Sequence, residues 1–178
     1  MAEVYKRIDR KLVHKGAIID YYQDTVQIPN GNVATWDFIM HKGAAAAFPV
    51  TEEGKILMVK QYRNALDRFT IEIPAGGLNG ADEPTMDAAR RELEEETCYV
   101  ASDMKLLVSV RTTVAFCNEK IDIYLATGLK RTAQHLDEDE FVDVEAYDLE
   151  ELVELVKNGS IEDAKTVSAI MTYKALYT

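Results

Sequence analysis

The sequence predicts an α/β protein, an α/β/α sandwich on a mixed sheet with antiparallel strands ahead of it. Three observations predict it: β-branched and aromatic runs alternate with turn residues over the first sixty or so positions, one charged helix interrupts the strands near the middle, and two helical stretches close the chain. At 178 residues the chain suits one domain with a sizeable core and a small N-terminal extension. The division expected is a β-strand region over 1–42 and the main domain over 43–178.

Residues 4–40 read as strands. The stretch from Gly16 to Ile28 is rich in strand formers, and Pro29, Asn30, Gly31 and Asn32 mark a tight turn into Val33–Met40. Two or three strands alone are marginally stable, so this region must pack on something. Ala44–Val50 and Lys55–Tyr62 form a second strand group across a Glu53-Gly54 turn. Glu72 to Gly77 is an extended run ending in a turn, and Pro84 then leads into a helix over Asp87–Thr97. Lys105–Val110, Ile121–Ala126 and Phe141–Tyr147 read as further strands. Asp148 can cap a helix through Val156 that Asn158 and Gly159 end. Ile161–Leu176 reads as a last amphipathic helix with Ala164, Val167, Ile170, Met171 and Leu176 on one face.

The formal charge of −11 argues against nonspecific binding to nucleic acid or anionic membrane. Cys98 and Cys117 form no CxxC pair, which suggests a reducing, cytoplasmic setting. The first residues contain no apolar signal core, and no run approaches membrane-spanning length. His14, His41 and His135 are scattered and read as surface or core polar residues.

The chemistry concentrates in Glu92, Glu95 and Glu96, which stand at i, i+3 and i+4 on one helical stripe. Such a cluster is most often a solvated face. Like charges so placed repel by a few tenths of a kcal/mol per pair. The arrangement makes sense if a hard cation such as Mg²⁺, which takes oxygen ligands, lies against the stripe. Its surroundings favour that reading, because a glycine turn at Gly76-Gly77 precedes it. Gly77, Glu83, Arg91, Glu92, Leu93, Glu95 and Glu96 together resemble the Nudix box, G-x5-E-x7-R-E-U-x-E-E-x-G-U, with U a bulky apolar residue. Cys98 departs from the box glycine, and Tyr99 fills the closing apolar slot. A cysteine forced to positive φ there costs about 1–2 kcal/mol.

Beyond the box, the chain resembles the ADP-ribose pyrophosphatase branch of the Nudix family over nearly its whole length. The matching pieces are Ile28–Gly31, Lys60–Arg63, Glu72–Gly76, Phe116–Glu119, Leu136–Glu140 and the tail Ile161–Thr166. Val114-Ala115-Phe116 replaces a more usual Pro-Gly-Phe. The resemblance implies the same sandwich fold for 43–178, with the strands of 1–42 used in a homodimer and in adenine contacts. It implies hydrolysis of the ADP-ribose diphosphate to AMP and ribose 5-phosphate with Mg²⁺, or Mn²⁺ as a substitute. Metal would be held by Glu92, Glu95, Glu96 and a backbone carbonyl at Gly76 or Ala75, and would polarise the phosphoryl oxygens. Arg91 pairs with nearby acids, a plain surface salt bridge being the rival reading, and Glu83 orients it or reaches metal through water.

The resemblance places the general base in the acidic loop, at Glu138 or secondly Glu140. Arg63 is the expected phosphate or ribose contact, because a guanidinium can grip two oxygens at once. An internal pair with Glu72, itself expected near substrate, is compatible with that. Trp36 is the candidate adenine platform, although a lone tryptophan on a strand is more often core. Glu119 is expected as a supporting acid near substrate and Phe116 as packing. The alternatives are a sister enzyme acting on another nucleoside diphosphate sugar such as GDP-mannose, and a non-catalytic ADP-ribose sensor. The intact box acids and the lack of a basic DNA-binding segment disfavour the sensor.

Overall fold

A computed structural model of the protein describes residues 4–80, 82–132 and 142–178. The elements are β1 (Lys6–Lys15), β2 (Asp20–Gln27), β3 (Val33–Met40), β4 (Ala44–Pro49), β5 (Ile56–Arg63), β6 (Arg68–Glu72), β7 (Ala75–Gly77), α1 (Thr85–Thr97), β8 (Tyr99–Arg111), β9 (Lys120–Arg131), β10 (Asp143–Tyr147), α2 (Leu149–Lys157) and α3 (Ala164–Tyr177). They form two compact units. One runs to Gly43 and includes Arg111–Glu119; the other comprises Ala44–Val110 and Lys120–Thr178.

The first unit is built on the antiparallel sheet β1-β2-β3. The turn at Ile28–Asn32 closes the β2–β3 hairpin in the register Gln27↔Val33. Bulges at Arg7/Asp9 and Leu12/His14 break the alternation of β1, and that strand leaves Ile8, Leu12 and Val13 exposed.

The second unit carries the sheets β7-β4-β9-β8 and β10-β5-β6. The first of these is mixed, because β4 is parallel to β9 and antiparallel to β7. Period-two alternation divides its faces. Ala45, Ala47, Tyr124 and Ala126 pack with Ala88, Ala89 and Leu93 of α1, while Ala44, Ala46, Phe48, Ile121, Ile123 and Leu125 join Leu152 of α2 and Ile170 of α3. Helices therefore cover the sheet from both sides, as the sequence predicts. Alanines on both α1 and β4 leave little side chain between them, so the helix lies close to the strand.

Three details differ from expectation. The short β7 exists through pairing with β4 rather than through strand propensity, and β6, rich in strand formers, lies just ahead of the extended run read from Glu72. Asp148 stands at the start of α2 without a side-chain cap and bonds Lys55 instead, 3.1 Å away. Finally, α3 starts at Ala164, capped by Asp163, and buries Lys165, Thr166, Ala169 and Ile170, whereas Met171 and Leu176 are exposed. Its inner face holds polar groups, which an apolar period cannot reveal.

Candidate active site

The stripe sits on α1. Pro84 enters the helix in extended geometry, and Asp87 in the first turn complements the helix dipole. Cys98 ends it in the left-handed conformation, φ 61°, with its N–H donating to the Glu94 carbonyl. The cysteine thus takes up the conformation glycine would have adopted more cheaply.

Glu92 and Glu96 are 7% and 3% exposed. Buried carboxylates require partners. The Glu96 carboxylate accepts the Ala75 N–H at 3.0 Å, and Glu92 Oε1 accepts from Arg91 Nη1 at 2.5 Å. The same Nη1 donates to Glu95 Oε2 at 2.9 Å, while Nη2 donates to the Gly77 carbonyl at 3.1 Å and Nε lies 3.4 Å from Glu83 Oε1. Burial acts to lower the Arg91 pKa, but Glu92, Glu95 and Glu83 outweigh it and raise the pKa. Glu83 is held below the usual carboxylate range, chiefly by the Asn79 N–H and then by Arg91. Arg91 therefore knits the glycine turn, Glu83 and the stripe into one network.

Among the described residues no three acidic, histidine or cysteine side chains converge as a ready cation cage. Arg91 holds Glu92 and Glu95, while Glu96 turns toward the Ala75 N–H. The residues nevertheless fit a metal. A Cβ on Gly76 would collide with the Glu92 carboxylate, so glycine there lets that buried carboxylate lie against backbone. Glu92, Glu95, Glu96 and the Gly76 backbone supply an all-oxygen donor set, which suits a hard divalent cation.

Residues 40–170 match the protein family described as NUDIX domain. The chain belongs to the Nudix family. Its relatives include the ADP-ribose pyrophosphatase of Bacillus subtilis, 41% identical over 93% of this chain and 90% of that one. The methanol dehydrogenase activator of Bacillus methanolicus is equally similar, 41% identical with the same coverage. A crystal structure of an ADP compounds hydrolase superposes with a TM-score of 0.85 over 96% of this chain and 92% of its own at 18% identity, which bears on the fold. This Nudix protein is accordingly an enzyme, a hydrolase, and the family uses a divalent metal.

Elsewhere in the Nudix unit, Arg63 grips Glu72 with two bonds, Nε to Oε1 at 2.7 Å and Nη2 to Oε2 at 2.6 Å. Thr70 Oγ1 adds a bond of 2.6 Å, and the Lys165 ammonium also binds this carboxylate. Burial would raise the Glu72 pKa, but Arg63 and Lys165 hold it at about 2. The Arg63 guanidinium is raised chiefly by Glu72, with the charges of Glu96 and Asp163 also acting on it. A cavity of about 390 Å³ opens between Arg63, Arg68, Thr70, Glu72, Glu162 and Lys165.

The other unit has its own concave site. A cavity of about 650 Å³ is lined by Tyr21, Thr35, Trp36, Asp37, Ile39, Ala115 and Phe116. Trp36 and Phe116 are each 47% exposed. Neither ring is part of the buried core. The Phe116 carbonyl accepts the Ile39 N–H at 2.7 Å, and its residue lines the cavity. Tyr21 donates its hydroxyl to Asp37 Oδ1 at 2.7 Å.

Glu119 lies in the same unit, accepting from Thr112 Oγ1 at 2.6 Å with His41 Nδ1 3.3 Å away. Asn118 clamps the His41 backbone with two bonds, of 2.7 and 3.1 Å. Glu138 and Glu140, the expected bases, lie outside the described residues.

The sequence reading singles out neither Tyr21 nor Asp37, and reads His41 as a polar residue. Hairpin register could have found the first two: pairing Gln27↔Val33 places Tyr21 opposite Ile39 and diagonal to Asp37, within reach of a long side chain.

Proposed function

We propose that the protein hydrolyses the diphosphate of ADP-ribose to AMP and ribose 5-phosphate with Mg²⁺. The observation that carries this reading is the pair of buried carboxylates, Glu92 and Glu96, set against the Gly76 turn in a chain similar to the Bacillus subtilis ADP-ribose pyrophosphatase over most of its length. Glu92, Glu95, Glu96 and the Gly76 carbonyl hold the metal. When bound, the ion offsets phosphoryl charge and lowers the pKa of a coordinated water. Mn²⁺ has the same taste for oxygen ligands and can substitute.

Arg91 keeps the glutamates from repelling one another before metal enters. Arg63 orients the diphosphate, with Glu72 fixing the guanidinium plane. Trp36 stacks on adenine, Phe116 closes the rim of that cavity, and Asp37 with Tyr21 can bond to the base edge. Glu119 braces the loop behind it. The proton of the attacking water passes to Glu138, or to Glu140 in its place.

A second copy of the chain covers the exposed apolar residues of the N-terminal sheet, among them Ile8, Leu12 and Val13. An exposed apolar face rimmed by charge marks an interaction surface. We read the working state as a cytoplasmic homodimer, in keeping with two unpaired cysteines. Among the described residues no helix is long and apolar enough to cross a membrane.

The test is turnover of a nucleotide-sugar panel that includes ADP-ribose and GDP-mannose, wild type beside Glu96→Gln, following AMP or GMP release. AMP release that needs Mg²⁺ and falls at least about a hundredfold in the variant supports both substrate and site. Normal turnover by Glu96→Gln removes the stripe as the metal site. Preference for GDP-mannose moves the enzyme to the sister activity, and binding of ADP-ribose without turnover makes it a sensor.

A further inference from the structure

The tail segment Ile161–Thr166 stands out in the sequence, yet none of the roles above uses it. Its Lys165 is 7% exposed and sits in the first turn of α3. A cation is unfavourable at a helix N-terminus, and burial adds a desolvation cost. Stability alone gives little reason to keep it, since apolar replacement of a buried ion pair is often neutral or better.

Its partners show what it does. The ammonium binds the Glu72 carboxylate, and Asp163 Oδ2 at 2.9 Å. Glu72 is 3% exposed and also holds Arg63 through two bonds. Two cations thus balance two anions. With Lys165 removed, a net negative charge would lie against Arg63, the side chain facing the phosphates.

A separate strand of the same tail acts on the backbone. Thr166 Oγ1 accepts the Ile73 N–H at 3.1 Å, just ahead of the Pro74–Gly76 turn whose Ala75 N–H binds Glu96.

We propose that Lys165 is a positioning residue for diphosphate binding: it balances Glu72 from the buried side so that Arg63 keeps its orientation and its attraction for phosphate. The inference rests on Arg63 being the diphosphate contact. It separates two effects. Lys165 governs binding through charge, whereas Thr166 governs the metal-side turn through the backbone.

The experiment compares Lys165→Met, Lys165→Arg and Thr166→Val. Two readouts are taken: KM and kcat for ADP-ribose, and calorimetric affinity for inorganic pyrophosphate with Mg²⁺. Lys165→Met raises KM and weakens pyrophosphate binding by about tenfold, with kcat within about threefold of wild type. Lys165→Arg, which keeps the charge, restores most of both. Thr166→Val lowers kcat more than it raises KM. Unchanged pyrophosphate affinity in Lys165→Met overturns the proposal, as does a folded Lys165→Arg no better than Lys165→Met.

If Lys165→Met does not fold, Lys165→Gln keeps a hydrogen-bond donor beside Glu72 and removes only the charge. It raises KM and weakens pyrophosphate binding by about threefold or more, and unchanged affinity there overturns the proposal. Wild type that binds pyrophosphate but leaves ADP-ribose intact sinks the substrate reading, while the pyrophosphate arm still decides on Lys165.

Discussion

The glutamate stripe and the aromatic cavity draw on the chain in opposite ways. The box residues of the stripe lie within residues 77–96, largely on one helix, with Glu92 and Glu96 buried and hydrogen-bonded. The cavity collects Tyr21, Thr35–Asp37, Ile39 and Ala115–Phe116 from separate segments, and its Trp36 and Phe116 stay half exposed. The first arrangement serves charge, which needs fixed oxygens at close spacing. The second has the shape and lining that suit a flat apolar ligand, which needs area and tolerates looser placement. Damage to the stripe and its supports should therefore strike every substrate alike, and damage to the cavity should discriminate among bases.

The largest effect is expected at Glu72, in the unit that bears the stripe. Glu72→Gln leaves Arg63 and Lys165 around an uncharged amide and should cost about 3 kcal/mol at neutral pH. The folded-state pKa lies at about 2 against an ordinary 4.5, so the ionic stabilisation is full above 4.5 and is lost as pH falls toward 2. Urea unfolding at pH 7, 4 and 3 should show the gap between wild type and variant closing in that order. A gap that stays constant would mean that shape, not charge, supports this end of the site.

Gly76→Ala comes next and isolates the stripe. The three atoms nearest the new methyl all belong to the Glu92 carboxylate, the end of a flexible side chain, so the cost falls chiefly on that carboxylate's place against the turn. Metal affinity and turnover should fall about ten- to a hundredfold for every substrate, with little change in Tm. A large loss of Tm with intact metal affinity would show that the turn is structural.

Trp36→Ala tests the other side of the comparison. Stacking of a base on an aromatic ring is worth about 1–3 kcal/mol, so KM for ADP-ribose should rise about tenfold, and less for a pyrimidine sugar nucleotide. Phe116→Ala should act in the same direction, with kcat nearly unchanged in both. Equal effects on purine and pyrimidine substrates would reduce Trp36 to packing and erase the distinction between the two regions.

This contrast also explains what could be read from sequence. Glu92, Glu95 and Glu96 were legible because helical spacing alone puts them on one stripe, and the glycine turn is adjacent in the chain. The sandwich was legible from the order of elements: strand runs, one charged helix among them, and two helices closing the chain. The place of Phe116 beside Trp36 was not legible, because its backbone is tied to Ile39, far away in sequence. Lys165 was silent because a lysine in a helical pattern suggests solvent, and only the fold brings Glu72 beside it. The inner face of α3 was misread for the same reason.

The smallest effect is expected at the one place where the box pattern is broken. Cys98 holds φ 61° at the end of the helix that carries the stripe. Left-handed geometry costs an ordinary residue about 1–2 kcal/mol. Glycine escapes that cost but gains about 0.4–1 kcal/mol of freedom in the unfolded chain. Cys98→Gly should therefore stabilise the fold by about 0.5–1 kcal/mol, a rise in Tm of about 1–4 °C for a chain of this size. Turnover should be unchanged, because the Cys98 backbone bond to Glu94 is available to glycine too. A fall in Tm would mean that the cysteine side chain contributes more through packing than its backbone loses through strain. The helix end would then be a feature of this chain in its own right, not a tolerated departure from the pattern.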